Sequence, residues 1–251
     1  MNKEQQFEYL LRIADNVLIH GQRISEWCGH GPVLEEDIAL SNTALDLLGQ
    51  TTNLLKHAAE VEGKGRDEDQ IAFLRDASEY KNLLLVELPN GDYATTIAKQ
   101  FFFAQFYELF LEKLASSSHE FLRGFAEKSI KEVRYHVQHA SAWVVRMGDG
   151  TEESKQRIQA AIDALWEYTP EFFMEDDLDK AAAESGYGVS LAAIKEPWMK
   201  AIKETLSEAT LQIPAEGWGH KGGKQGKHTE HLGYILAEMQ FLQRAYPGAK
   251  W

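Results

Sequence analysis

Cysteine is almost missing: Cys28 is the only one in 251 residues, which excludes an intrachain disulfide and any cysteine-based zinc cluster. A basic excess is missing too. The net charge of −13 argues against nucleic acid or an anionic membrane as a general partner. Long apolar runs are absent. The most apolar stretch, Phe101 to Leu111, is interrupted by Gln105 and Glu108, and the N-terminal MNKEQQFEYL is polar and mixed in charge. Neither a membrane span nor a signal peptide is supported, and the expected location is the cytoplasm. No Pro- or Ser-rich linker, internal repeat or period-2 alternation stands out. A chain of this length buries a large core, so one domain over 1–251 is expected.

Helical periodicity runs through nearly all of it. Phe7, Leu10, Leu11, Ala14, Val17 and Leu18 recur at helical spacing, and the pattern reaches Trp27 before Gly29 and Gly31 stop it. Pro32 is suited to open a second helix, whose face carries Ile38, Leu45, Leu48, Thr52 and Leu55 down to Gly63 and Gly65. These two helices are expected to lie antiparallel. After a charged segment, Asp67 to Asp69, a shorter helix is expected through Tyr80, then Leu83 to Val86, which as a lone strand would have nothing to pair with. After the turn signal Pro89-Asn90-Gly91, Asp92 caps a third long helix to about Ser116, and Ser118 is expected to cap a fourth to Gly148. Further helices are expected over Thr151 to Tyr168, Ser190 to Thr210 with Pro197 as a kink or late start, and Thr229 to Tyr246. The fold class is all-α: a four-helix core over about 4–148 with a C-terminal helical extension over about 151–251.

The most informative stretch is Ile130 to Ala140, IKEVRYHVQHA. A four-helix di-iron protein places Glu-x-x-His on each of two helices, because residues three apart share a helix face and hold one metal between them. Here the corresponding pair is Val133 and His136, and on the second helix it is Leu47 and Gln50. Two divalent ions without carboxylates would leave charge uncompensated, at an idealised Born cost of order tens of kcal/mol. A dinuclear centre is therefore disfavoured.

Other residue groups need weighing. Glu132, His136 and His139, four and three apart, share a helix face as a possible mononuclear site or a solvated or interface surface. His228, Glu230 and His231 stand at a helix start, where capping and partner contact compete with ligation; His30 lies in a tight turn beside Cys28, with no acid or base paired to either by spacing. Lys221-Gly222-Gly223-Lys224-Gln225-Gly226-Lys227 combines backbone N–H groups with three cations and suits phosphate, without matching a P-loop. Glu79, Tyr80, Lys81 and Asn82 offer polar groups ahead of the buried Leu83 to Val86 run.

Five motifs carry a resemblance: Glu26-Trp27-Cys28-Gly29-His30; Leu45-Asp46-Leu47-Leu48-Gly49-Gln50; Asn82 to Glu87 followed by Pro89-Asn90-Gly91; Ile130-Lys131-Glu132 with Arg134-Tyr135-His136; and His228-Thr229-Glu230-His231-Leu232-Gly233 with Leu236-Ala237-Glu238-Met239-Gln240. Together they span nearly the whole chain, which resembles the C-subunit family of the phenylacetyl-CoA ring-1,2-epoxidases of phenylacetic acid catabolism. The resemblance implies a ferritin-like bundle that is structural rather than catalytic. It implies pairing with a related subunit that holds the di-iron centre, alongside other epoxidase subunits and a reductase. Set against the catalytic subunit's pattern, Asp46 and Gly49 persist, Leu47, Gln50 and Val133 replace ligands, and His136 alone is retained. Ungapped transfer puts the remaining ligand positions at Val17 and Ala104.

No catalytic residue, metal ligand or cofactor is expected in this chain. Contacts to a CoA thioester are expected near Glu79 to Asn82 by resemblance, and at Lys221, Lys224 and Lys227 by charge. Partner contacts are expected at His30, His228, Glu230 and His231. Two other classes compete: a metal-dependent oxidase or oxygenase built on His136 and nearby carboxylates, and a free-standing acyl-CoA-binding module.

Overall fold

The structure is a computed structural model that describes residues 1–215 and 217–249. Its helices are α1 (Lys3–Ser25), α2 (Leu34–Glu62), α3 (Glu68–Phe73), α4 (Leu84–Glu87), α5 (Tyr93–Leu114), α6 (Glu120–Gly148), α7 (Glu152–Trp166), α8 (Asp177–Glu184), α9 (Ala192–Glu208), α10 (Glu230–Met239) and α11 (Phe241–Ala245). No strand occurs among the described residues, and the all-α architecture is consistent with a ferritin-like bundle.

The chain divides into two compact units, Met1–Pro89 with Gly222–Trp251, and Asn90–Lys221. The first contains the α1/α2 hairpin. Asn2 begins α1 with a capping box, its side chain accepting from Gln5 N at 2.8 Å while Gln5 Oε1 accepts from Asn2 N at 2.9 Å. α3 and α4 pack on this hairpin, and α10 returns to pack on α1 and α4. The second unit is built on the α5/α6 hairpin, with α7 and α9 packed on both of its helices. α5 is apolar round its circumference, which suits a helix covered on several sides. Phe101, Phe102, Phe103, Phe106 and Tyr107 are all buried. Phe102, Trp166, Phe172 and Trp198 form a ring cluster with centroids 5.7 to 6.0 Å apart.

Several element ends differ from expectation. α1 stops at Ser25, and residues 26–30 are turns. α2 begins at Leu34 rather than Pro32; the preceding turn is held by Gly31 N donating to Asp37 Oδ2 at 3.0 Å. The helix expected through Tyr80 ends at Phe73, and a 3₁₀ turn at Ala77–Glu79 follows. Leu84–Glu87 form the buried single-turn α4 with Leu83 at its N-cap, in line with the lack of a pairing partner for a strand there. Ser118 is not the cap of α6: His119 holds that position, while Ser118 N and Oγ both donate to Gly186 O, at 2.8 and 3.0 Å. α9 begins before Pro197 and continues through it. The last expected helix is broken at Gln240, whose buried amide donates to Arg75 O at 2.9 Å and Tyr80 Oη at 3.0 Å. Asp92 caps α5 as expected, accepting from Thr95 N at 2.9 Å, and Thr151, expected to start a helix, is the cap of α7, accepting from Ser154 N at 3.1 Å.

Candidate functional site

The positions that sequence reasoning associates with a lost metal centre are interior. In the first unit Val17, Leu47 and Gln50 are buried on α1 and α2; in the second, Ala104, Val133 and His136 are buried on α5 and α6. Four of these six side chains are hydrocarbon and ligate nothing. On the outer side of α6, Glu132 and His139 are half-buried, and the exposed Tyr135 ring stacks on His139 at 6.1 Å. Among the described residues no group of three or more His, Cys, Asp or Glu side chains is placed to hold a metal ion.

The polar chemistry of the first unit gathers elsewhere, beneath the segment 75–88. Asp15, fully buried on α1, pairs with both terminal nitrogens of buried Arg75, at 2.9 Å through Nη1 and at shorter range through Nη2. Arg75 Nε donates to Ile71 O at 2.7 Å, and the guanidinium lies 4.1 Å from the Tyr80 ring centroid. Burial disfavours the Arg75 charge, but Asp15 beside it more than compensates and raises its pKa. Lys81 N donates to Asp15 Oδ2 at 2.8 Å, and Leu83 N to Asn16 Oδ1 at 2.7 Å. The irregular segment is thus fastened to α1 by side chains that replace a helix's own backbone bonds.

A second node surrounds Glu87, which is also fully buried. Its carboxylate accepts from Asn82 Nδ2 at 2.9 Å, Thr229 N at 2.6 Å and His228 Nδ1 at 2.8 Å. Its backbone carbonyl accepts from Arg23 Nε and Nη2 at 3.1 and 2.9 Å. His228 Nε2 lies 3.0 Å from Tyr80 O, so both ring nitrogens face acceptors, which requires the imidazolium form. Burial works against that charge, but the hydrogen bond and charge of Glu87 outweigh it and raise the His228 pKa.

These contacts place the expected site residues. Tyr80 and Asn82 are fully buried, Lys81 is half-buried and Glu79 is exposed. Burial pushes the Tyr80 hydroxyl well above its ordinary range, and it donates to Ala72 O. His228 is turned inward, whereas His30 and Glu230 are exposed and His231 is half-buried. Lys221 and Lys227 are exposed, but Lys224 is only 8% exposed, in a 3₁₀ turn at Gly223–Gln225. Gly226 ends that turn at φ +73, where a Cβ would collide with Ser78 O, so glycine permits the close approach of this loop to the 77–79 turn. The motifs around Asn82 to Glu87 and His228 to Glu230, far apart in sequence, meet in one network.

Sequence reasoning missed the charged and polar groups that carry it: Asp15, Arg75, Arg23 and Gln240. Asp15 left a signal, since Leu11, Leu18 and Ile19 stand three and four residues from it on its helix face, although Glu8 and Arg12 share that face. Arg75 left none.

Two bundle-forming hairpins, hydrocarbon at positions where the resemblance expects ligands, and paired distant motifs define a helical protein of a particular kind. A family model described as phenylacetic acid catabolic protein matches residues 1–251, and the chain belongs to that family. It is 47% identical over 243 residues to the C subunit of the 1,2-phenylacetyl-CoA epoxidase of Escherichia coli (strain K12), covering 97% of this chain and 98% of that protein.

Proposed function

We propose that this chain is the structural, non-catalytic C subunit of a multicomponent phenylacetyl-CoA 1,2-epoxidase. It pairs with and stabilises the di-iron subunit that epoxidises the aromatic ring, together with the other epoxidase subunits and a reductase, in the cytoplasm. The observation that carries this reading is the burial of Val17, Leu47, Ala104 and Val133 at positions where resemblance expects metal ligands. The donors left at such positions, Gln50 and His136, bring no negative charge to balance two divalent ions, so the residues do not fit a dinuclear centre. No step of the reaction is assigned to this chain.

A subunit role is supported by the outer face of α2. Leu34, Ile38 and Leu45 lie four and seven residues apart on one stripe and are 71%, 50% and 65% exposed. No helix among the described residues is long and apolar enough to cross a membrane; the four- and seven-residue spacing of that stripe suits helix pairing. We assign it, with His30, Glu230 and His231, to the partner interface. His228 supports that surface from inside through Glu87. For CoA phosphates the exposed Lys221 and Lys227 are the available cations. Lys224 and the buried Tyr80 and Asn82 shape the backbone behind Glu79 and Lys81.

Elemental analysis after anaerobic Fe(II) loading and desalting tests the reading. Iron near zero per chain is expected, and one or two irons per chain would overturn it. For the phosphate contacts, Lys227→Ala should weaken phenylacetyl-CoA affinity of the assembled complex more at low salt than at high salt. Unchanged low-salt affinity removes this loop from the site.

A further inference from the structure

Within the second unit, a cavity of about 310 Å³ opens beside the ring cluster. Its wall includes Trp166, Phe173 and Trp198, with Met174 and Met199 completing the apolar surface. The Trp198 ring lies 5.3 Å from Phe173 at 60° and 6.0 Å from Trp166 at 31°. Trp198 is fully buried and Trp166 nearly so, and the accessible apolar surface in front of them is the half-buried Phe173 ring with Met174 and Met199, a combination that suits a flat π-system because thioethers adapt to its rim. The wall's polar handles are already committed: Trp198 Nε1 donates to Phe102 O at 3.1 Å, and Thr169 Oγ1 to Trp166 O at 2.8 Å. Among the described residues one charge lines the cavity. It is Lys195, exposed and without an ion-pair partner among the described residues.

We propose that this cavity binds a small planar aromatic monoanion, a carboxylate or sulfonate of one or two rings. The volume lies at the low end of small-molecule sites, which run from about 300 to 1,000 Å³, and suits a ligand of one or two rings. The single cation sets the charge of the ligand, since the chain as a whole, at −13, repels anions. Without Lys195 nothing on the wall favours a carboxylate over a neutral aromatic. The site does not depend on the subunit reading, for it uses no residue assigned to the partner or to CoA.

The test is isothermal titration of the full chain with 2-naphthoate, with 2-naphthalenemethanol as the neutral analogue. Saturable binding at one site per chain is expected, with the alcohol at least threefold weaker. Lys195→Ala should weaken naphthoate at least threefold, while Lys200→Ala leaves it within twofold. Met199→Trp, which fills the cavity, should abolish binding while leaving the far-UV circular dichroism unchanged. Lys195→Ala lies on the surface and keeps the test decisive should the filled variant misfold. Absence of saturable binding, equal affinity for acid and alcohol, or a Lys195→Ala effect below threefold would overturn the proposal.

Discussion

In the unit formed by Met1–Pro89 with Gly222–Trp251, ions fasten the interior: Asp15 to Arg75, Glu87 to His228, and Arg23 to the Glu87 carbonyl. In the unit Asn90–Lys221, rings on α5, α7 and α9 do the corresponding work. The difference follows from the segments each unit must hold. Residues 74–83 and 222–229 contain little regular helix, so their backbone N–H and C=O groups need partners that side chains supply. The second unit holds irregular chain too, over 185–191 and 209–215, with Ser118 donating to Gly186 O, but its rings lie between helices that satisfy their own backbone, and there shape suffices. Directional bonds secure irregular chain, whereas area secures helices.

The largest expected effect breaks the ionic side of this comparison. Asp15→Ala leaves the Arg75 charge buried and should cost about 3 to 5 kcal/mol in urea denaturation. Adding Arg75→Met should recover part of that loss, because an apolar replacement of the whole pair removes the stranded charge. A double variant no better than the single would mean that the ion pair is not what holds the segment.

On the aromatic side, Trp198→Ala should cost about 3 to 5 kcal/mol through the cavity it opens. Hydrogen exchange separates the two cases. Asp15→Ala should accelerate exchange in 75–88 and 228–240, and Trp198→Ala in 93–114 and 192–208. Acceleration spread equally over both units by either variant would erase the distinction drawn here.

A smaller effect is confined to the first unit and depends on pH. The folded His228 pKa is raised, so its contribution is complete below the unfolded value of about 6.5 and is lost as pH rises through the folded value. The Tm difference between the wild type and His228→Ala should therefore shrink from pH 6 to pH 9. A difference independent of pH would show that the ring acts by packing alone.

The smallest effect sharpens the other side. Asp92→Ala removes the cap of α5 and should cost about 1 kcal/mol. Burial tends to raise the Asp92 pKa, but hydrogen bonds from Thr95 and Arg157 outweigh it and leave it lowered. The cap's contribution is present above the ordinary aspartate range and is lost as pH falls through the folded value. Urea midpoints at pH 7 and pH 3 check both statements; an equal loss at both pH values would show that the carboxylate charge plays no part.

The four long helices were legible because apolar periodicity marks a helix, but on α2 it marked the wrong face: Ile38, Leu45 and Thr52 are exposed, and Ala39, Leu40, Thr43, Ala44 and Leu47 are buried instead. Asp92 was legible as a cap because a cap acts on backbone two or three residues away. Ser118 was misleading for the same reason: its hydroxyl is a good local cap, and a distant carbonyl at Gly186 takes it instead. The sites were less readable. Tyr80, Asn82 and His228 stand out as polar residues in unusual motifs, but composition does not say whether they face a ligand or one another.

By itself, then, the sequence determined the all-α class, the helix order and the hydrocarbon at Val17, Leu47, Ala104 and Val133, all of which depend on residue type and spacing along one chain. Tertiary structure alone decided that Asp15 meets Arg75, that Glu87 meets His228 across 141 positions, and that Trp166, Phe173 and Trp198 leave a cavity with Lys195 on its wall. Such pairings depend on where distant segments come to rest, and a buried charge records in sequence only that it needs a partner, never which one.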